Sequence, residues 1–239
     1  MTVPTVDEII ARLRGEADPD NVAGMVRYGI SPVGTLGVSM PFLRGIAREL
    51  KPVAKTDPGA VHALAAGLWA SGVHEARILA SLVDVPALVT RAQADEWVAD
   101  IDSWDVCDGL CNNLLDKTPF AYEKAKEWAV AEQEFVKRAG FVLMCTRAVH
   151  DKAAGDEPFL GFLAIVESEA PDERPLVKKA VNWALRQIGK RNANLHAAAV
   201  VVASRLRDSE SRAARWVASD ALRELGSEAV LGRVAQSRT

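Results

Sequence analysis

Apolar residues recur at spacings of three and four over segments of about 12 to 20 residues, and these segments follow one another with short breaks. The pattern predicts amphipathic helices joined as antiparallel pairs, not strands alternating with crossover helices. The breaks carry their own signals. Thr56-Asp57-Pro58 reads as an N-cap followed by proline in the first helical turn, while Asp84-Val85-Pro86 and Thr118-Pro119 interrupt the apolar period. Gly155 to Pro158 and Pro171 to Pro175 interrupt later helices, and Gly189 to Asn194 closes one helix and opens the next. Roughly ten to twelve helices result on this reading.

Several of these helices share a local string with a cation early in an apolar run. Arg77 in Glu75–Leu79, Arg138 in Val136–Gly140, Lys179 in Val177–Val181 and Arg212 in Ser211–Arg215 stand at successive separations of 61, 41 and 33 residues. Drifting periods of this size suit degenerate helical repeats stacked into a curved solenoid, in which equivalent residues line one face. An ordinary helical bundle without a groove is the alternative.

Composition supports a helical chain. Hydrophobic residues make up 49% of the 239 and aromatics only 6%, enough for one substantial core and for a single elongated domain over residues 1–239. Three cysteines, Cys107, Cys111 and Cys145, do not form a closed disulfide set. The N-terminus lacks the basic-then-apolar plan of a signal peptide, and the longest apolar run, Ala197 to Ala203, is far short of the roughly 20 residues that span a bilayer. A cytoplasmic protein without a membrane partner is expected. The net charge of −3 conceals an asymmetry: residues 1–172 hold 16 basic against 26 acidic side chains, whereas residues 173–239 hold 13 against 6. A basic last quarter can present a positive surface to phosphates, or can be an unevenly solvated surface and nothing more.

Three constellations carry candidate chemistry. On the helix from Val177, Lys179, Trp183, Arg186 and Lys190 fall in one sector, with Val177, Val181, Ala184 and Ile188 opposite. A tryptophan framed by cations suits a nucleic-acid surface; the other reading is a tryptophan plugging a helix junction beneath extended cationic side chains. Further on, Arg212, Arg215, Ser219 and Arg223 cluster on a second face, as phosphate-gripping guanidiniums or as the solvated side of a terminal helix. The third is Asp102 to Leu110, where Asp102 or Ser103 serves as N-cap, Asp105 faces the helix dipole, and Trp104 and Asp108 stand one turn apart on one face. An indole beside a carboxylate favours positive charge between them. Cys107 and Cys111 read as buried apolar residues, since no further ligand lies at a zinc spacing. His62, His74, His150 and His196 are scattered, His150 reading as a helix-end residue. No phosphate-cradling glycine loop or nucleophile elbow appears.

At these residues the chain resembles the AlkD family of bacterial DNA alkylation repair proteins, HEAT-like repeat glycosylases. Trp104-x-x-x-Asp108, the arginine of Val136-Lys137-Arg138-Ala139-Gly140 and the tryptophan of Lys179-Ala180-Val181-Asn182-Trp183-Ala184-Leu185-Arg186 come in the family's order. The stretch from Tyr28 through Leu36-Gly37-Val38-Ser39-Met40-Pro41-Phe42-Leu43-Arg44 looks like its first repeat, and coverage runs from about residue 20 to 230. The resemblance implies an all-α, right-handed solenoid of antiparallel HEAT-like repeats with a concave basic face. It implies Asp108 as the catalytic carboxylate, Trp104 and Trp183 as aromatic walls beside the lesion's sugar, Arg138 as a cation on the adjacent backbone, and Tyr28 as a third aromatic. Lys179, Arg186, Lys190, Arg212, Arg215 and Arg223 complete the expected DNA contacts.

The implied reaction is hydrolysis of the N-glycosidic bond of cationic N3- or N7-alkylated purines in duplex DNA. The charged base is already a good leaving group, so the help needed is at the sugar, where a carboxylate stabilises oxocarbenium character and orients water. The implied partner is double-stranded DNA containing alkylated bases, with no obligate protein partner, no metal and no organic cofactor. Two rivals stand beside this reading. One is a HEAT-repeat protein that binds DNA structures without catalysis, and the other is a helical scaffold for a protein.

Overall fold

The computed structural model describes residues 2–236, and among them there are helices and no strands. Fourteen α-helices follow one another: α1 (Val6–Gly15), α2 (Pro19–Val26), α3 (Met40–Thr56), α4 (Pro58–Ala70), α5 (His74–Val83), α6 (Arg91–Ala99), α7 (Trp104–Asn113), α8 (Ala121–Ala129), α9 (Glu134–His150), α10 (Glu157–Glu169), α11 (Pro175–Gly189), α12 (Ala193–Arg207), α13 (Arg212–Leu225) and α14 (Glu228–Gln236), with a 3₁₀ turn at Leu115–Lys117. The expected count of ten to twelve is therefore too low. Helices of eight or nine residues, such as α2, α6, α8 and α14, contain under three turns and leave too short an apolar period to recognise.

The expected breaks hold. Asp57 caps α4, its carboxylate accepting the Ala60 N–H at 3.0 Å ahead of Pro58, and Asn192 caps α12 by accepting the Leu195 N–H at 2.9 Å. Helix α9 ends at His150, and α11 ends at Gly189.

The helices cluster into two compact units, one ending at Pro119 and one beginning at Phe120. In the first, α5 packs against α1, α3, α4 and α7. Eight of its ten residues are buried, including Ile78, Leu79 and Val83, so it is enclosed nearly all round. Its N-terminal residues also organise the loop before α3. The buried Glu75 carboxylate accepts the backbone N–H groups of Leu36, Gly37 and Val38 at 2.6 to 3.3 Å, satisfying donors that no helix or strand would otherwise pair. Gly37 is required there: its φ is +80°, and a Cβ would lie 2.1 Å from the Asp18 carbonyl oxygen.

In the second unit the enclosed helix is α9, whose residues from Lys137 to Thr146 are all buried against α8, α10 and α11. Gly140 lets α9 close on the end of α8, since a Cβ at this position would stand 2.3 Å from the Ala129 backbone nitrogen. Buried Lys137 is matched by Glu169 at 2.5 Å and Asp172 at 3.1 Å. Asp172 also accepts from Arg174, and that hydrogen bond, against the opposing effect of burial, holds its carboxyl down to about 2. Helices α11, α12 and α13 pack on one another to complete the unit.

Candidate nucleic-acid interface

The expected residues fall into two groups, one in each unit. In the first, α7 begins at Trp104 with Ser103 in the N-cap position, as one of the two expected caps. Ser103 makes no side-chain cap bond; its hydroxyl donates to the Asp105 carboxylate. Asp105 lies in the first turn, as its expected dipole role requires, yet its stronger engagement is with His74 Nε2, 2.8 Å away. Burial opposes charge on both partners. The hydrogen bond and the opposite charge prevail, lifting His74 above the ordinary imidazole range and depressing Asp105 below the ordinary carboxylate range. Scattered as it looks in sequence, His74 thus joins the start of α5 to the start of α7.

That junction fixes the next residue. Trp104 is half-buried, and its indole Nε1–H donates to the Tyr28 carbonyl at 3.0 Å, which holds the ring against the turn after α2. Asp108 follows one turn later, also half-buried, while Val106, Cys107, Leu110 and Cys111 go into the core, the two cysteines as expected. Indole and carboxylate therefore sit on the less buried side of α7, where each keeps partial access to solvent. The Tyr28 side chain is 76% exposed. Arg77, the first cation of the repeated strings, is committed to structure: it pairs with Asp100 at 2.5 Å and donates to backbone carbonyls of Trp69 and Asp100.

In the second unit, four expected residues line one pocket of about 310 Å³: Arg138, Lys179, Trp183 and Arg186. Three that the sequence reading did not single out line it too, namely Asn182, Trp216 and Asp220. Arg138 is buried, and its Nη1 donates to the Leu176 carbonyl at 2.7 Å, tying α9 to the first turn of α11. Trp183 is half-buried on the polar side of α11, while Val177, Val181, Ala184 and Ile188 are fully buried on the other. Lys179 is exposed.

Charge at and beside this pocket is partly balanced by neighbouring carboxylates. Arg186 pairs with Glu224 and lies 3.9 Å from Asp220, and Lys190 pairs with Glu224 at 2.6 Å. Burial raises the Glu224 carboxyl, but the hydrogen bonds from Lys190 and Arg186 outweigh it and hold the group below its ordinary range. On α13, Arg215 donates to the Ser209 and Glu210 carbonyls at 2.8 Å, Arg223 pairs with Asp220, and Arg212 is exposed. Trp216 is 42% exposed, with Lys178 Nζ 5.1 Å from its ring centroid. It shares the helical sector of Arg212, Ser219 and Arg223, so a tryptophan on an otherwise polar face was the signal that could have found it.

Cys107, Cys111 and Cys145 are buried thiols, and no three His, Cys, Asp or Glu side chains among the described residues cluster as a metal site. No helix among the described residues is long and apolar enough to cross a membrane.

Comparison with known proteins places these observations in a family context. A family model described as DNA alkylation repair enzyme matches residues 9–225. A solved structure is similar over 97% of this chain and 96% of its own, with a TM-score of 0.72 and 20% identity. It is described as a new family of proteins related to the HEAT-like repeat DNA glycosylases with affinity for branched DNA structures. None of the curated proteins matches the chain. The fold is thereby the all-helical, HEAT-like one expected.

Proposed function

From the premise that the chain belongs to the DNA alkylation repair enzyme family, we propose that it is a glycosylase that hydrolyses the N-glycosidic bond of cationic N3- or N7-alkylated purines in duplex DNA. The observation that carries the proposal is Asp108, one turn from Trp104 and kept out of the core beside an indole that is anchored through its N–H. With its N–H engaged by the Tyr28 carbonyl, the half-buried indole is held in place one helical turn from the carboxylate, and an aromatic ring with a carboxylate on the same helical face suits a sugar that becomes cationic as the base departs. Asp108 stabilises that charge and orients the attacking water, while the alkylated base leaves as a neutral purine. Trp183, Trp216 and Lys179 supply the aromatic and cationic contacts of the second unit, and Arg138 acts by holding α9 and α11 in register. The reading treats the whole chain as one functional domain, since the family match crosses the boundary at Pro119. It also places the protein wherever the cell holds its DNA.

The test is release of free purine from methylated duplex. The unaltered protein releases it, and Asp108→Asn lowers the rate about 100-fold or more while still binding the duplex. No release by the unaltered protein ends the proposal.

A second reading is favoured by the likeness to a structure whose own description is affinity for branched DNA. Under it the protein binds DNA structures without catalysis, and Glu224, by occupying Arg186 and Lys190, tempers affinity for ordinary duplex. Steeply salt-dependent binding to a four-way junction with no abasic product would favour it.

A further inference from the structure

Helix α3 carries Arg44, Arg48, Lys51 and Lys55 at intervals of four, three and four residues. At the α-helical period this holds them within a sector of about 60°, in a row about 16 Å long. All four are exposed. None is ion-paired among the described residues, and the one acidic residue of α3, Glu49, is bound instead by Arg12 at 2.8 Å. Like charges three and four residues apart repel, so the row costs the helix stability without internal compensation.

The row lines a concavity of about 940 Å³, together with Lys117 and the Leu82 to Pro86 segment that follows α5. Asp84 is the one carboxylate lining it, and its side chain is fully buried. Its oxygens are taken by His62 Nδ1 at 2.6 Å, the Val85 N–H at 2.7 Å and Gln93 Nε2 at 3.0 Å. Five cations thus face this space against one covered acid. None of Tyr28, Trp104 and Asp108 lines it.

A row of unneutralised cations at regular spacing fits a ligand with regularly spaced anions. Duplex DNA carries one phosphate charge about every 1.7 Å of axis with both strands counted, so a row of four cations about 16 Å long meets an anion density high enough for each cation to find a phosphate. We propose that α3, with Lys117, is a second surface for the sugar–phosphate backbone of duplex DNA, distinct from the Trp104–Asp108 face. It rests on the reading that DNA is the partner, but not on the glycosylase reaction.

The experiment compares the full chain with R44Q/R48Q/K51Q/K55Q, substitutions of exposed residues that preserve helix propensity. Binding to a fluorescent, unmodified duplex of 30 base pairs is followed by anisotropy from 50 to 200 mM salt, with thermal unfolding as a check that both proteins are folded. Loss of four phosphate contacts should reduce the slope of log K against log salt by about 3 to 4 and weaken binding at least tenfold at 100 mM. A slope changed by less than about 1, with affinity within about twofold, overturns the surface and leaves the reaction untouched. Base release measured on the same two proteins separates the claims: a missing reaction with the slope change present defeats the glycosylase reading alone. Failure of the unaltered protein to bind duplex defeats both.

Discussion

Glu224 shows how one side chain alters the meaning of a cluster. Arg186 and Lys190 share the face of Trp183 and look available for phosphates, but both are held by this carboxylate. Glu224→Gln removes a negative charge beside the pocket and releases two cations, so affinity for duplex should rise about three- to tenfold in anisotropy titrations at low salt. An unchanged affinity would show that DNA does not approach this pocket. The His74–Asp105 pair allows a second prediction, with a definite sign. His74 holds its proton more tightly folded than unfolded, so its contribution is full below the ordinary imidazole value of 6.5 and fades as pH rises through the higher folded value. Asp105 contributes above its ordinary 3.8 and fades as pH falls through a lower folded value. The melting-temperature gap between the unaltered protein and Asp105→Asn should therefore be widest from about pH 4 to 6.5 and narrow toward pH 9. A gap that grows with pH would contradict the pairing.

At the scale of elements, each unit is assembled around one enclosed helix, and small residues set how closely its neighbours approach. Gly140 is the sharpest case, because the atom opposing a new Cβ belongs to the α8 backbone and cannot swing away. Gly140→Ala should cost about 3 kcal/mol and lower the melting temperature by roughly 10 °C, measured calorimetrically. A loss under about 1 kcal/mol would show that the α8 backbone shifts to admit the methyl group. The cap within Thr56-Asp57-Pro58 and the helix boundary at Gly189 to Asn194 were legible from sequence because such signals are local. The Glu75 clamp on Leu36 to Val38 was not, since its partners lie 37 to 39 residues away in a loop without a periodic signal. The α3 row is plain in its sequence spacing, but it lies in a net acidic part of the chain whose summed charge masks it.

Across the whole molecule, a net charge of −3 coexists with two sets of exposed cations, on α3 and on the α11–α13 side of the second unit. Overall charge governs solubility and long-range steering, whereas local rows and pockets govern where a polyanion settles. The family match over residues 9–225 and the structural likeness over 97% of the chain agree with the periodic pattern on what kind of fold this is.

Helicity, the placement of most breaks, and the pairing of Trp104 with Asp108 on one face were written in the order of residues, because they depend on neighbours within four positions. Which cations would stay open and which would be consumed could not be read that way. Arg77, Arg138, Arg186 and Lys190 all lie on promising strings, yet each is engaged by a carboxylate or carbonyl 8 to 38 residues distant. Such partners meet only when helices pack, and electrostatic availability is a property of that packing.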